Sequence, residues 1–162
     1  MIEVRLHGRG GQGAVTASEL IAHTAYKCGL YVQSFPMFGV ERRGAPVEAY
    51  VRIDEKPILT REQVYNPNYV LCLDSSLIKS IDITKGLNKK GIIIINSNKN
   101  PEEFNLHFRT ITADLTKIAL ETIKAPITNT AMVGAFSGAT NLIKINEVAE
   151  AIKYKFGDVT EL

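Results

Sequence analysis

His7-Gly8-Arg9-Gly10-Gly11-Gln12-Gly13 lies between a strand-like run, Ile2-Glu3-Val4-Arg5-Leu6, and a helical pattern from Ala14 to Cys28. A strand, a glycine-rich turn and a helix in that order form the opening unit of an α/β fold. Ala14, Ala17, Ile21 and Ala25 fall on one stripe of the predicted helix, and Gly29 is placed to stop it. Further along, Leu30 to Phe35 and Val47 to Ile53 read as strands. In the second, Val47, Ala49, Val51 and Ile53 alternate with Glu48, Tyr50, Arg52 and Asp54, the period of a half-buried strand near an edge or in an antiparallel pair. Tyr69 to Leu73 and Ile92 to Ile95 are continuously apolar, as central strands buried on both faces must be. Phe108 to Ile111 is a weaker strand. A helix is expected over Thr130 to Leu142, with Met132, Ala135, Phe136 and Ala139 inward. Another follows an Asn146 cap, with Val148, Ala149, Ile152 and Phe156 as its stripe, Glu147 and Glu150 in its first turn and Lys153 and Lys155 in its last. The expected architecture is a three-layer α/β/α domain with a mainly parallel sheet, made mixed by an antiparallel piece at Leu30–Ile53.

The 162 residues are one domain's length, at roughly 100–200 residues per domain, so 1–162 is read as a single domain. With 45% hydrophobic and 22% charged residues the chain has the composition of an ordered globular protein. A net charge of +2, with lysines and arginines dispersed, argues against nucleic acid. Apolar runs such as Gly91 to Ile95 are far short of the ~20 residues that span a bilayer, and no signal-peptide pattern opens the chain. The two cysteines, Cys28 and Cys72, lack CxxC spacing and nearby histidines, which excludes an iron–sulfur cluster or zinc site built by this chain alone. Unpaired cysteines also suit the reducing cytoplasm, the expected location.

Glycines in such a turn let a ligand approach the backbone, and the N–H groups of the turn and of the helix behind it favour anions. Phosphate is the natural guest, with Arg9 as a charge partner. Gly8, Gly10 and Gly13 satisfy G-x-G-x-x-G. The acid that would hold a dinucleotide ribose is missing from Val32-Gln33-Ser34-Phe35, and no Gly-Lys-Ser/Thr follows for a Walker loop. Three readings stay open: a tight packing turn, a contact to phosphate or another subunit's backbone, or a nucleotide site.

Phe35-Pro36-Met37-Phe38-Gly39-Val40-Glu41-Arg42-Arg43-Gly44-Ala45-Pro46 is a long connection, and such loops are disproportionately functional. Its apolar residues and arginines suit a protein interface or an anion site; the plain alternative is a solvated surface loop. Asp74, Ser75 and Ser76 follow a buried strand, where a helix cap is the commoner use and a ligand contact the rarer. His7 beside the turn is either a phosphate donor or a loop residue. His23 and His107 read as structural, Cys28 and Cys72 as small hydrophobes. Gly134, Ser137, Gly138 and Ala139 make a small-residue helix face for close packing, and Asn129 and Thr130 either cap that helix or face an anion.

Gly8-Arg9-Gly10-Gly11-Gln12-Gly13, the Phe35–Val47 stretch and Asn129-Thr130-Ala131-Met132-Val133-Gly134-Ala135 together resemble the gamma subunit of the 2-oxoacid:ferredoxin oxidoreductases. The Glu41–Pro46 wording is closer to the pyruvate branch than to the 2-oxoglutarate branch. The resemblance implies a multi-subunit enzyme that oxidatively decarboxylates a 2-oxoacid, reduces ferredoxin and releases an acyl-CoA. It implies thiamine diphosphate and iron–sulfur clusters on partner subunits, a thiamine-binding and a ferredoxin-like chain. Members of that family usually run further past the last helix, whereas this chain stops at Leu162. This chain would hold no cofactor alone and would be inactive in isolation. Its part would be to shape the coenzyme A site and a subunit interface, with Gly8, Arg9, Gly10, Gly11, Gln12, Gly13, Arg42, Arg43, Asn129 and Thr130 as the site residues. A stand-alone NADP-type nucleotide-binding protein and a purely structural subunit are the alternatives.

Overall fold

Leu71, Leu73, Ile92 and Ile94 point into one hydrophobic core, and Val70, Cys72, Ile93 and Ile95 into a second. Strands apolar on both faces belong in the middle of a sheet with both faces covered. The computed structural model, which describes residues 1–37 and 43–157, has that arrangement. Its strands are β1 (Ile2–Arg9), β2 (Tyr31–Pro36), β3 (Pro46–Asp54), β4 (Tyr69–Cys72), β5 (Ile92–Asn96) and β6 (Arg109–Ala113). Its helices are α1 (Ala14–Lys27), α2 (Leu115–Ile123), α3 (Asn129–Thr140) and α4 (Ile145–Phe156). The sheet order is β2-β3-β1-β4-β5-β6. β1, β4, β5 and β6 run parallel, while β3 pairs antiparallel with both β1 and β2. The α/β class and the mainly parallel, mixed sheet match the sequence reading, including the place of the antiparallel piece.

One core receives residues from all the α-helices, among them Leu20 and Ile21 of α1, Leu115 of α2, Phe136 of α3 and Val148 of α4. The opposite face is closed by two short 3-10 helices, Ser75–Lys79 and Pro101–Phe104, and by coil carrying Ile83 and Leu87. Each fully buried Ile or Leu contributes roughly 1.5–3 kcal/mol.

Several elements depart from expectation. β1 continues through Gly8 and Arg9, because β3 offers ladder partners as far as Pro46. β3 lies one strand in from the sheet edge and pairs antiparallel on both sides, as its alternation predicts, but its polar face is buried too: Arg52 is 2% exposed and Tyr50 1%. Arg52 is tolerated there because its Nε donates to Glu3 Oε1 at 2.8 Å, its Nη1 to Gln33 and its Nη2 to the Glu62 carbonyl. The Phe35 ring centroid lies 5.2 Å from its guanidinium carbon. α2 was not anticipated; Asp114 caps it by accepting from the Lys117 N–H at 2.9 Å. α4 begins one residue earlier than its expected Asn146 cap. Lys144 occupies the cap position without a side-chain bond, which puts Asn146 inside the first turn and Glu150 beyond it. The inward stripe accordingly uses Val148, Ala151 and Ile152, with Ala149 and Phe156 exposed. No helix among the described residues is long and apolar enough to cross a membrane.

Candidate functional site

The β1–β3 ladder does not stop where the strands do. Beyond the Arg9–Pro46 pair, the Gly10 N–H donates to Ala45 O at 2.8 Å and the Gly44 N–H to Gly10 O at 3.1 Å. Gly10 is thus a ladder residue that ties the end of the 35–46 loop to the turn. The Gln12 N–H then returns to Arg9 O at 2.9 Å, and Gly13, at φ +79°, starts α1 with no side-chain cap. First-turn N–H groups of a helix have no intrahelical acceptor, so this end of α1 favours negative charge.

Gly13 has to be glycine for two reasons. Its positive φ is costly for an L side chain. A Cβ there would also meet Asn129, the first residue of α3, whose Nδ2 would be only 2.7 Å away. Asn129 is buried, and its Oδ1 accepts from the Thr130 N–H at 2.8 Å. The starts of α1 and α3 therefore meet at the carboxyl end of β1.

Arg9 does not take the place expected of it. Its Nε donates to Asp74 Oδ2 at 2.9 Å, its Nη2 to Ser76 Oγ at 2.9 Å and its Nη1 to Gly44 O at 3.1 Å. A guanidinium occupied on all three nitrogens is a brace rather than an open phosphate ligand. Gln12 completes the brace, with its Nε2 donating to Asp74 Oδ2 at 3.0 Å and its Oε1 accepting from the Arg9 N–H at 2.7 Å. Asp74 also caps the Ser75–Lys79 3-10 helix by accepting from the Ser76 N–H, the use expected for it. Burial pushes the Asp74 carboxyl up, but the hydrogen bonds from Ser76, Gln12 and Arg9 outweigh it and hold the group below the usual carboxylate range.

Of the expected site residues, Gly8 to Gly13 and Asn129 converge. Thr130 instead lines an apolar groove with Ile118, Ile123 and Ile145 between α2 and α4. Arg43 is exposed on the stem that Gly10 holds; Arg42, with Phe38 to Glu41, lies outside the described residues. His7 is a strand residue, 1% exposed, on the face away from the α-helices. There the Arg5 Nε donates to His7 Nε2 at 3.0 Å, which leaves the proton on Nδ1, 3.5 Å from Glu48 Oε1. Burial drives the His7 pKa down to about 4, Arg5 adding to the shift and Glu48 opposing it. Glu48 Oε2 accepts from the Tyr50 hydroxyl at 2.5 Å, and burial with that hydrogen bond raises Tyr50 to about 12. Sequence reasoning missed this network. Its signal is the alternation of Glu48 and Tyr50 in β3, which reads as the open side of a half-buried strand, and the continuation of β1 through His7, which reads as a loop residue. Arg5, Glu48, Tyr50, Gln63 and Met37 line a cavity of about 410 Å³ beneath the stems of the 35–46 loop.

Cys72 is buried, its thiol donating to Asp74 O at 3.1 Å and pushed up to about 12 by burial. Among the described residues no group of His, Cys, Asp and Glu has the arrangement of a metal site.

Residues 3–162 match the family model described as pyruvate ferredoxin/flavodoxin oxidoreductase. The gamma subunit common to the pyruvate/ketoisovalerate oxidoreductases of Pyrococcus abyssi is 53% identical over 161 residues, covering 96% of this chain and 87% of the relative. Pyruvate synthase subunit PorC of Methanocaldococcus jannaschii is 51% identical over 152 residues, covering 94% of this chain and 84% of the relative. Among solved structures, the pyruvate oxidoreductase subunit PORC of Thermotoga maritima superposes with a TM-score of 0.86 at 37% identity, over 96% of this chain and 85% of that one. The stand-alone NADP-type reading finds no support in these relatives. The sheet speaks against it as well: β1 is flanked by an antiparallel strand where a dinucleotide fold has a parallel one.

Proposed function

The chain belongs to the pyruvate ferredoxin/flavodoxin oxidoreductase family, and on that premise we propose that it is the gamma subunit of a multi-subunit pyruvate-type 2-oxoacid:ferredoxin oxidoreductase. The complex oxidatively decarboxylates a 2-oxoacid, transfers the acyl group to coenzyme A and passes the electrons to ferredoxin. Thiamine diphosphate, which supplies the carbanion chemistry, and the iron–sulfur clusters sit on the partner subunits, a thiamine-binding and a ferredoxin-like chain, in the cytoplasm. Residues 1–162 serve as one domain that completes the coenzyme A site at a subunit junction.

The observation that carries this reading is the packing of Asn129 on Gly13. It brings two helix starts, neither capped by the side chain at its cap position, to one spot at the carboxyl end of β1. A phosphate of coenzyme A is the anion such a place takes up. Arg43, exposed on the adjoining stem, brings positive charge to the junction, and Arg42 is included from the sequence alone. One observation favours a purely structural role instead, the engagement of Arg9 with protein acceptors.

A single experiment separates the two. Arg42→Ala and Arg43→Ala are introduced into the assembled complex, and KM for coenzyme A and subunit retention are measured. Loss of one charge-assisted contact raises KM about tenfold. Unchanged KM with full retention removes both arginines from the site and leaves the structural role.

A further inference from the structure

We propose that Asp74 is a positioning residue that acts through Arg9 to hold Gly44, and with it the basic stem of the 35–46 loop, over the glycine turn. The inference rests on the coenzyme A reading above and adds to it the device that sets where the charge stands.

The chemistry of the contacts points one way. Arg9 ends β1, and its backbone faces Pro46 on one side of the strand. Its side chain reaches both neighbours of β1 at once. On the β3 side, Nη1 donates to Gly44 O; on the β4 side, Nε donates to Asp74 Oδ2 and Nη2 to Ser76 Oγ. A planar guanidinium holding partners on two of its edges is rigid, because moving one partner tilts the whole fork. Gly44 makes the tie directional. It sits at φ +85°, a backbone conformation that L side chains rarely adopt, and Arg43 is the next residue back. Gln12 links the same carboxylate to the turn, since it donates to Asp74 Oδ2 while accepting from the Arg9 N–H. One carboxylate thereby sets three things relative to each other: the loop stem, the glycine turn and the end of β4. The Arg9–Asp74 pair is partly exposed, with side chains 33% and 20% accessible, so its effect is on placement more than on stability.

The test uses the assembled complex with Asp74→Asn, Arg9→Lys, their double variant, Asp74→Glu and, as the benchmark, Arg43→Ala. Asp74→Asn keeps an acceptor for the Ser76 N–H but loses the charge on Arg9; Arg9→Lys keeps the charge and loses the fork. Each is expected to raise KM for coenzyme A several-fold, up to the roughly tenfold of one lost charge-assisted bond. kcat and KM for the 2-oxoacid should stay within about twofold. The double variant should be no worse than the poorer single, because both break one tie, and Asp74→Glu should recover part of the loss. If Asp74→Asn does not assemble, Ser76→Ala removes one arm of the fork and should still raise KM for coenzyme A about twofold. Unchanged KM in Asp74→Asn and Arg9→Lys, with the rise intact in Arg43→Ala, overturns the positioning role and leaves the coenzyme A reading standing. No rise in Arg43→Ala as well defeats that reading too. A fall in KM on Asp74→Asn also overturns the proposal, since a released Arg9 would then be binding the anion itself. So does a loss of kcat without a rise in KM for coenzyme A in a variant that assembles.

Discussion

Asn129 lies against the α-carbon of Gly13: a Cβ built on that glycine would stand 2.7 Å from Asn129 Nδ2 and 3.1 Å from its Cβ. Two residues more than a hundred positions apart thus share one van der Waals boundary. Gly13 starts α1 and Asn129 starts α3, so the contact registers one helix on the other at the end of the sheet where the site is proposed.

Gly13→Ala should therefore be destabilising twice over. The left-handed conformation costs an L residue about 1–2 kcal/mol, and Asn129 has to move as well. Adding Asn129→Ala should restore the space but not the backbone cost, so the double variant should recover only part of the lost stability. Denaturant unfolding of the single and double variants measures this, and full recovery would show that φ at position 13 is not under strain.

His7 makes stability depend on pH. Its folded pKa of about 4 lies below the ordinary value of 6.5, chiefly through burial. Between those values the unfolded chain binds more protons, so stability is complete above pH 6.5 and declines as pH falls towards 4. At 1.36 kcal/mol per unit the decline amounts to about 3 kcal/mol. His7→Gln, with no titration in that range, should flatten the curve. Unfolding free energies at several pH values from 7 to 4 decide it; parallel curves for the two proteins would place the pH dependence elsewhere.

Glu3 and Arg52 form a pair at 2.8 Å with the arginine 2% exposed. Removing one partner of such a pair leaves a buried charge without compensation, so Glu3→Ala should cost about 3 kcal/mol or more. Replacing both partners with apolar residues should cost less than that single change. A double-mutant cycle followed by urea unfolding compares them.

Cys72 should be silent to thiol reagents in the folded protein, because burial raises its pKa to about 12 and its thiol is bonded to the Asp74 carbonyl. A colorimetric thiol titration should count at most one reactive cysteine, Cys28, which is partly accessible, and both after denaturation. Rapid modification of Cys72 under native conditions would contradict its placement in β4.

The expected elements failed where a neighbour in space, not in sequence, made the decision. Ile92 to Ile95 could be read as a central strand because four consecutive branched apolar side chains have no other home. The alternation in β3 was visible, but its polar half was assigned to solvent. It is buried because Glu3, Gln33 and the Glu62 carbonyl supply Arg52 with acceptors. α2 escaped notice because its inward contribution is as slight as Leu115 and Ala119. In the site, the glycines were legible as a turn and Asn129 as a helix-start residue that either caps or faces an anion, but its packing against Gly13 was not.

Arg9 shows the same division most sharply. Local sequence makes an arginine among glycines look like a free cation. The parallel pairing of β4 with β1 brings Asp74 and Ser76 to it, and the antiparallel pairing of β3 brings Gly44.

What the sequence determined by itself is the set of local requirements: which runs must be buried on both faces, where the chain turns and where a helix stops at Gly29. Those follow from side-chain hydrophobicity and backbone sterics, which act over a few residues. The tertiary structure decided the partners: that Arg9 is a brace, that His7 is neutral and buried, and that α1 and α3 begin at the same place. Charges and hydrogen bonds are settled by what lies within a few ångströms, and that neighbourhood is assembled only when distant segments meet.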